Sequence, residues 1–276
     1  MKTATVLQIA RMELTVTVRN RWTAIFALVF GALVVTIALI GIMAEGYSGV
    51  QGFTRTTASL LNLVLYIVPL VALTMGTLSF TGDKGTMELL FSQPVARAEV
   101  VQGKLLGLLA SMGISTLAGF VLAGGVILAG SGPDGLWRYL LFVLLSLALA
   151  LVFLAFALSA ATVSRRKPRA FGIALFLWFF YVLFYDLLAL GTTLLLSGSA
   201  ATTFLFLSLF GNPVDMVRVA TLIMLDNTAI FGAAGAALLR FLGGQTTSVL
   251  LLAGGLGFWT LVPLLLTHRL LRSQDI

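Results

Sequence analysis

The chain has 276 residues, of which 59% are hydrophobic and only 10% charged, with a net charge of +7 and no cysteine. A soluble domain carries roughly 25% charged residues, so this composition describes an integral membrane protein. The lack of thiols excludes disulfides, thiolate metal sites and redox pairs.

Apolar runs of about 20 residues cross a hydrocarbon core as helices. Six such runs occur: Trp22 to Ala44, Ala58 to Phe80, Leu105 to Ala129, Tyr139 to Val163, Ala170 to Leu196, and Ser248 to Thr267. They do not show the strict alternation, over about ten residues, of barrel strands. The expected fold is therefore all-α, one transmembrane domain over residues 1–276. Thirteen of the seventeen Lys and Arg residues fall on one side of these spans, leaving only Arg55, Arg138, Arg218 and Arg240 on the other. That asymmetry predicts a bacterial inner-membrane protein with both termini in the cytoplasm. It makes the basic balance a topology signal, and no nucleic-acid partner is expected.

From Ala4 to Arg21 the pattern predicts an amphipathic interfacial helix, with Leu7, Ala10, Leu14 and Val18 on one strip. It precedes an apolar run too long for a signal-peptide core, so it is expected to stay in the mature protein. Trp22 marks the membrane boundary. The outer loop Glu45 to Thr57 carries no evident chemistry, and Pro69 predicts a kink in the second span.

Residues 82–104 form the main polar interruption, GDKGTMELLFSQPVARAEVVQGK. Within it Thr86, Met87, Glu88, Leu89, Leu90 and Phe91 suit a short helix with an apolar side, which Pro94 ends. That side either docks on a partner or lies in the headgroup region. Arg97 and Lys104 then place charge at the mouth of the third span, whose Gly107, Gly113, Gly119, Gly124 and Gly125 permit close helix approach.

A tight outer turn follows over residues 131–138, and the inner loop SRRKPR, residues 164–169, is a strong orientation anchor. The fifth span holds an aromatic run from Trp178 to Tyr185 and then Asp186, an ionisable residue inside a span. Such a group faces protein or water. A structural ion pair with Arg218 or Arg240 is the favoured reading, and a proton or ion relay is the alternative.

Residues 197–247 are too broken for a clean span and too apolar for a solvated loop, which predicts short helices lying on the outer face. At their centre stand Asn212, Pro213, Asp215 and Arg218, where Asn-Pro marks a turn and an extracytoplasmic partner could dock.

Much chemistry is missing. No phosphate-binding loop precedes Gly103 and Lys104, a single histidine, His268, excludes paired-histidine haem, and Met43, Met75 and Met112 are scattered one to a span. No nucleophile with a base and no buried carboxylate pair stands out, so a non-catalytic subunit without bound cofactor or metal is expected.

Six spans, the N-terminal amphipathic helix, and Gly85-Thr86, Glu88-Leu89-Leu90, Pro94, Arg97 and Gly103-Lys104 between spans two and three resemble the permease subunit of a type-two ABC transporter. The resemblance implies that Thr86 to Phe91 form a coupling helix seated in a separate dimeric ATPase, which binds ATP and Mg. The family often has one or two acidic residues before the Gly-Thr pair, where this chain has Gly82, Asp83 and Lys84. More narrowly, residues 19–22, residues 184–187 and residues 212–218 are similar to the permeases of nitrous oxide reductase maturation systems. That likeness implies a homodimer, with a periplasmic beta-helical copper-handling partner on its outer face. A general exporter of lipid, glycan or drug is the alternative. An ATPase-independent secondary transporter is the second, though no inverted repeat of the kind such transporters carry is evident.

Overall fold

The computed structural model describes residues 3–43, 50–81, 96–133, 135–164, 166–225 and 237–272. Among them lie α1 (Thr3–Val18), α2 (Arg21–Met43), α3 (Val50–Phe80), α4 (Arg97–Ser131) and α5 (Leu136–Ser164). The fifth span follows as α6 (Lys167–Phe179), a π-helical turn (Phe180–Phe184) and α7 (Tyr185–Leu195). Then come α8 (Gly198–Ser208), a 3₁₀ turn (Leu209–Gly211), α9 (Pro213–Met224), α10 (237–242) and α11 (Gln245–Arg272). Among the described residues six helices are long and apolar enough to cross a membrane, matching the six runs read from sequence. One difference is that α3 starts at Val50, so the helix takes in more than half of the stretch expected as the first outer loop.

The fourth span, α5, is the axis. Two-thirds of its most apolar window is buried within the chain, against about a tenth for the fifth span. It packs on α3, α4, α6, α9 and α11. Toward α2 and α4 the contact is aromatic: Phe120 meets Phe30, Tyr139 and Phe142 edge to face, and the Tyr139 hydroxyl donates to the Phe120 carbonyl at 2.7 Å. Such ring pairs contribute about 0.5–1.5 kcal/mol each beyond their area. The Trp178 indole donates to the Tyr66 carbonyl at 2.9 Å, near the Pro69 interruption of α3. Neighbouring-helix bonds of this kind let a span tolerate proline.

The segment expected to lie on the outer face instead enters the bundle. Helices α8 and α9 form a pair bent by 104° at residues 209–213. The turn is tied near mid-depth, because Asn212 Nδ2 donates to the Tyr181 carbonyl and Trp259 Nε1 to the Phe210 carbonyl, both at 2.9 Å. Tyr181 and Trp259 each stand near the middle of their spans, 167–195 and 245–270. At the other end of α9, Gln245 Nε2 donates to the Ile223 carbonyl at 3.1 Å, level with the start of α11. A helix of 12 residues rises about 18 Å, close to half the ~30 Å hydrocarbon core. The pair is therefore re-entrant. Its apolar side chains Val214, Met216, Val217 and Ala220 are buried against α3, α5 and α11, and this burial draws the segment inward.

Local chemistry supports the turn. Asn212 caps α9 by accepting from the Val214 N–H at 3.0 Å, with Pro213 at the first helical position, where a missing N–H costs nothing. Tyr185 donates to the Ser208 carbonyl at 2.6 Å, and a Cβ on Gly211 would overlap that tyrosine's hydroxyl. Gly211→Ala is expected to displace Tyr185 and destabilise the chain by about 1–3 kcal/mol. Thermal unfolding in detergent would measure it, with an unchanged midpoint counting against this packing.

Candidate functional site: the loop root and the re-entrant turn

The predicted coupling residues Thr86, Met87, Glu88, Leu89, Leu90 and Phe91 lie outside the described residues, and Arg97 is described only as the backbone start of α4. What is described is the root that carries them. Helix α3 ends at Phe80 and α4 begins at Arg97, so Ser79 and Lys104 sit on the two stalks of the intervening segment.

Those stalks are fastened to α1 by a buried polar cluster. Ser79 Oγ donates to Glu13 Oε1, Lys104 Nζ donates to the Ser79 carbonyl at 2.8 Å, and Lys104 Nζ lies 3.7 Å from Glu13 Oε2. The ammonium also stands 5.9 Å from the centre of the Phe80 ring, within cation–π range. Glu13 and Lys104 are each less than a tenth exposed. A charge in such a place is tolerated only when paired.

The face of α1 that packs inward differs from the strip read in sequence. Ile9, Glu13 and Thr17 are buried, whereas Leu7 and Val18 are exposed. The buried strip carries a glutamate and a threonine beside Ile9, and the choice is made by α4, which supplies Lys104 for Glu13 and Gly107 where the backbones meet: a Cβ there would stand 2.6 Å from the Ala10 carbonyl. The remaining apolar strip, Leu7 with Val18, is left facing outward, as an interfacial helix requires.

The second polar cluster lies beside the re-entrant turn. Arg218 Nη1 bonds Asp186 Oδ2 at 3.1 Å and also Asp215 Oδ1, while Asn212 Nδ2 donates to Asp215 Oδ2 at 2.9 Å. Of the two arginines considered for Asp186, Arg218 is the partner. Helix α7 supplies Asp186 just beyond the π-helical turn, and α9 supplies Asp215 and Arg218 one turn apart. The π-helical geometry itself has no counterpart in the sequence reading. Its Tyr181 carbonyl is the one that takes the Asn212 amide.

Asn212 and Pro213, expected to contact a partner outside the membrane, are instead buried at the turn. They hold the hairpin's shape. Asp186 and Arg218 are about a third exposed and open on a cavity of about 330 Å³. Among the described residues no group of three or more His, Cys, Asp or Glu could hold a metal ion.

A model of the ABC-2 family transporter proteins matches residues 7–276, which is nearly the whole chain. The chain belongs to this family of ABC transporter permeases. It is also similar to the probable ABC transporter permease protein NosY of Pseudomonas aeruginosa, 36% identical over 97% of this chain and 98% of that protein. A probable NosY of Stutzerimonas stutzeri is 34% identical over 79% of this chain and 81% of its own length. In this chain the stretch between spans two and three is the one whose stalks, through Ser79 and Lys104, are bound together with Glu13 of α1.

Breaking that fastening from one side is expected to cost about 3–5 kcal/mol, since Lys104→Met leaves the Glu13 carboxylate buried and unpaired. The double variant Glu13→Leu with Lys104→Met is expected to recover most of the loss. A thermal-denaturation double-mutant cycle measures both, and additive effects would show that the pair is not coupled.

Proposed function

We propose that this permease couples ATP hydrolysis in a separate ATPase dimer to a periplasmic copper-handling partner that serves copper-site assembly in nitrous oxide reductase. The observation that carries the reading is the likeness to a probable NosY permease over nearly the full length of the chain. In this reading the basic side faces the cytoplasm, the segment 82–95 holds the coupling helix, and ATP and Mg bind in the ATPase subunits. Two copies of the chain form the membrane unit. The spans that bury least against their own chain, the fifth and the last, offer apolar surface to the bilayer or to the second copy.

Force transmission suits the residues better than copper conduction. The chain has no cysteine and one histidine, and its soft ligands form no ladder. A push on the coupling segment reaches α3 and α4 at once, because Lys104 and Ser79 are bonded to each other and to α1. Helix α3 packs on α5 and on α9, so motion at the loop root has a packed route to the re-entrant pair. Close-packed interiors have low compressibility and transmit such displacement.

Purification of the tagged chain in mild detergent from its native host, followed by mass spectrometry, tests the assembly. Recovery of both an ATPase and a periplasmic beta-helical protein supports the proposal; an ATPase alone favours a general exporter. Leu89→Asp combined with Phe91→Asp is expected to abolish ATPase recovery, because two carboxylates would replace the apolar face of the docking helix. Retention of both the ATPase and partner-linked activity in that variant would overturn the coupling-helix assignment.

A further inference from the structure

The trio at the re-entrant turn is not charge-balanced. Two carboxylates, Asp186 and Asp215, share one guanidinium nitrogen of Arg218, and Asn212 adds only a neutral donor. With both acids ionised, one negative charge is left over in the outer part of the membrane domain, where charge is costly. Asp215 is nearly enclosed, whereas the Asp186 and Arg218 side chains keep 37% and 29% of their surface. Among the described residues only Nη1 of Arg218 is bonded, which leaves its other N–H groups for a ligand.

Beside the trio the cavity is greasy. Leu190, Leu205, Leu209, Val219 and Leu238 line it, and Leu190 and Leu205 are exposed on the flank of the bundle. The complementary ligand has a cation that donates hydrogen bonds, an anion for Arg218 and an apolar chain. We propose that the cavity binds a phospholipid with a primary ammonium head, phosphatidylethanolamine. Its ammonium sits on Asp186 and Asp215, its phosphodiester on Arg218, and the start of an acyl chain along Leu190 and Leu205. The cavity holds a headgroup and the first part of a chain, and the remainder of the lipid lies in the bilayer.

Depth sharpens the selectivity. Asp186 is nine residues inside the end of its span at Leu195, roughly 13 Å, so the head enters from the flank and is drawn below its usual level. Charge-assisted hydrogen bonds offset that displacement. A choline head has no N–H to donate, and a glycerol head donates O–H groups but has no positive charge to set against Asp186 and Asp215. The proposal concerns the outer half of the protein and does not rest on the coupling assignment.

The test is native mass spectrometry of the full-length chain, delipidated and then supplied with phosphatidylethanolamine, phosphatidylcholine or phosphatidylglycerol of identical acyl chains. Phosphatidylethanolamine is expected to be retained about tenfold better than either, the scale of one charge-assisted bond. Asp186→Asn is expected to remove that preference. Leu190→Trp, which fills the cavity and leaves the trio intact, is expected to remove retention altogether. Equal retention of the three lipids, or an unchanged preference in Leu190→Trp, overturns the proposal, and the second variant decides the matter even where Asp186→Asn fails to fold.

Discussion

The structure depends on one constraint: inside a bilayer no backbone N–H or carbonyl can be left to water. Straight helices meet it automatically, and the sharp bend at residues 209–213, where the α-helical ladder is broken, does not. It is allowed at mid-depth because side chains from three elements complete it. Trp259 caps the Phe210 carbonyl, Tyr185 caps that of Ser208, and Asn212 both caps α9 and satisfies the Tyr181 carbonyl of the π-helical turn. The two irregularities, π-helical turn and re-entrant turn, are thus solved together. The rings of Phe156, Tyr181 and Trp259, packed at centroid distances of 5.4–5.8 Å, fill the space below.

The two polar clusters answer the same dielectric problem in different ways. At the loop root one carboxylate meets one ammonium, both are buried, and a serine bridges them. A closed, neutral set of this kind serves as a fastening, since separating it exposes two bare charges. At the re-entrant turn the charges do not cancel and a cavity adjoins them. That set is open to exchange with something outside the chain. Stability considerations alone favour the first arrangement, so the second calls for a reason beyond folding.

Legibility followed the length scale of the signal. Six runs of some twenty apolar residues cannot be mistaken for anything else, and the spans appear where composition puts them. Asp186 was recognisable because a lone carboxylate in a span demands a partner, and Arg218 was one of two within reach. The depth of residues 198–224 was not readable, because α8 and α9 are each too short to cross and their apolar faces fit a surface helix as well as an inserted one. What decides between them is burial against α3, α5 and α11, a tertiary fact. Glu13 was missed for a related reason: a single acid on an interfacial helix reads as solvated until Lys104, some ninety residues away, is known to face it. The residues that most invite a functional reading, Thr86 to Phe91, show in sequence only a short helix with an apolar side, and the resemblance supplied the ATPase as its proposed partner.

A rigid axis with irregular elements at the end away from Ser79 and Lys104 has a mechanical consequence. Helix α5 is buried over two-thirds of its most apolar window and packs on five other helices, so it cannot slide without moving its neighbours. Helix α3 touches both α5 and α9, and its Pro69 interruption is braced by Trp178 from the fifth span, the same span that carries Asp186. Displacement entering at Ser79 and Lys104 therefore meets few compliant joints before the re-entrant pair. The turn there is held by hydrogen bonds of side chains rather than by continuous helix, and individual bonds of that kind contribute only about 1 kcal/mol net. On the proposed reading, this is where stiff transmission would give way to movement, and a lipid seated on Asp186 and Arg218 would load that same joint.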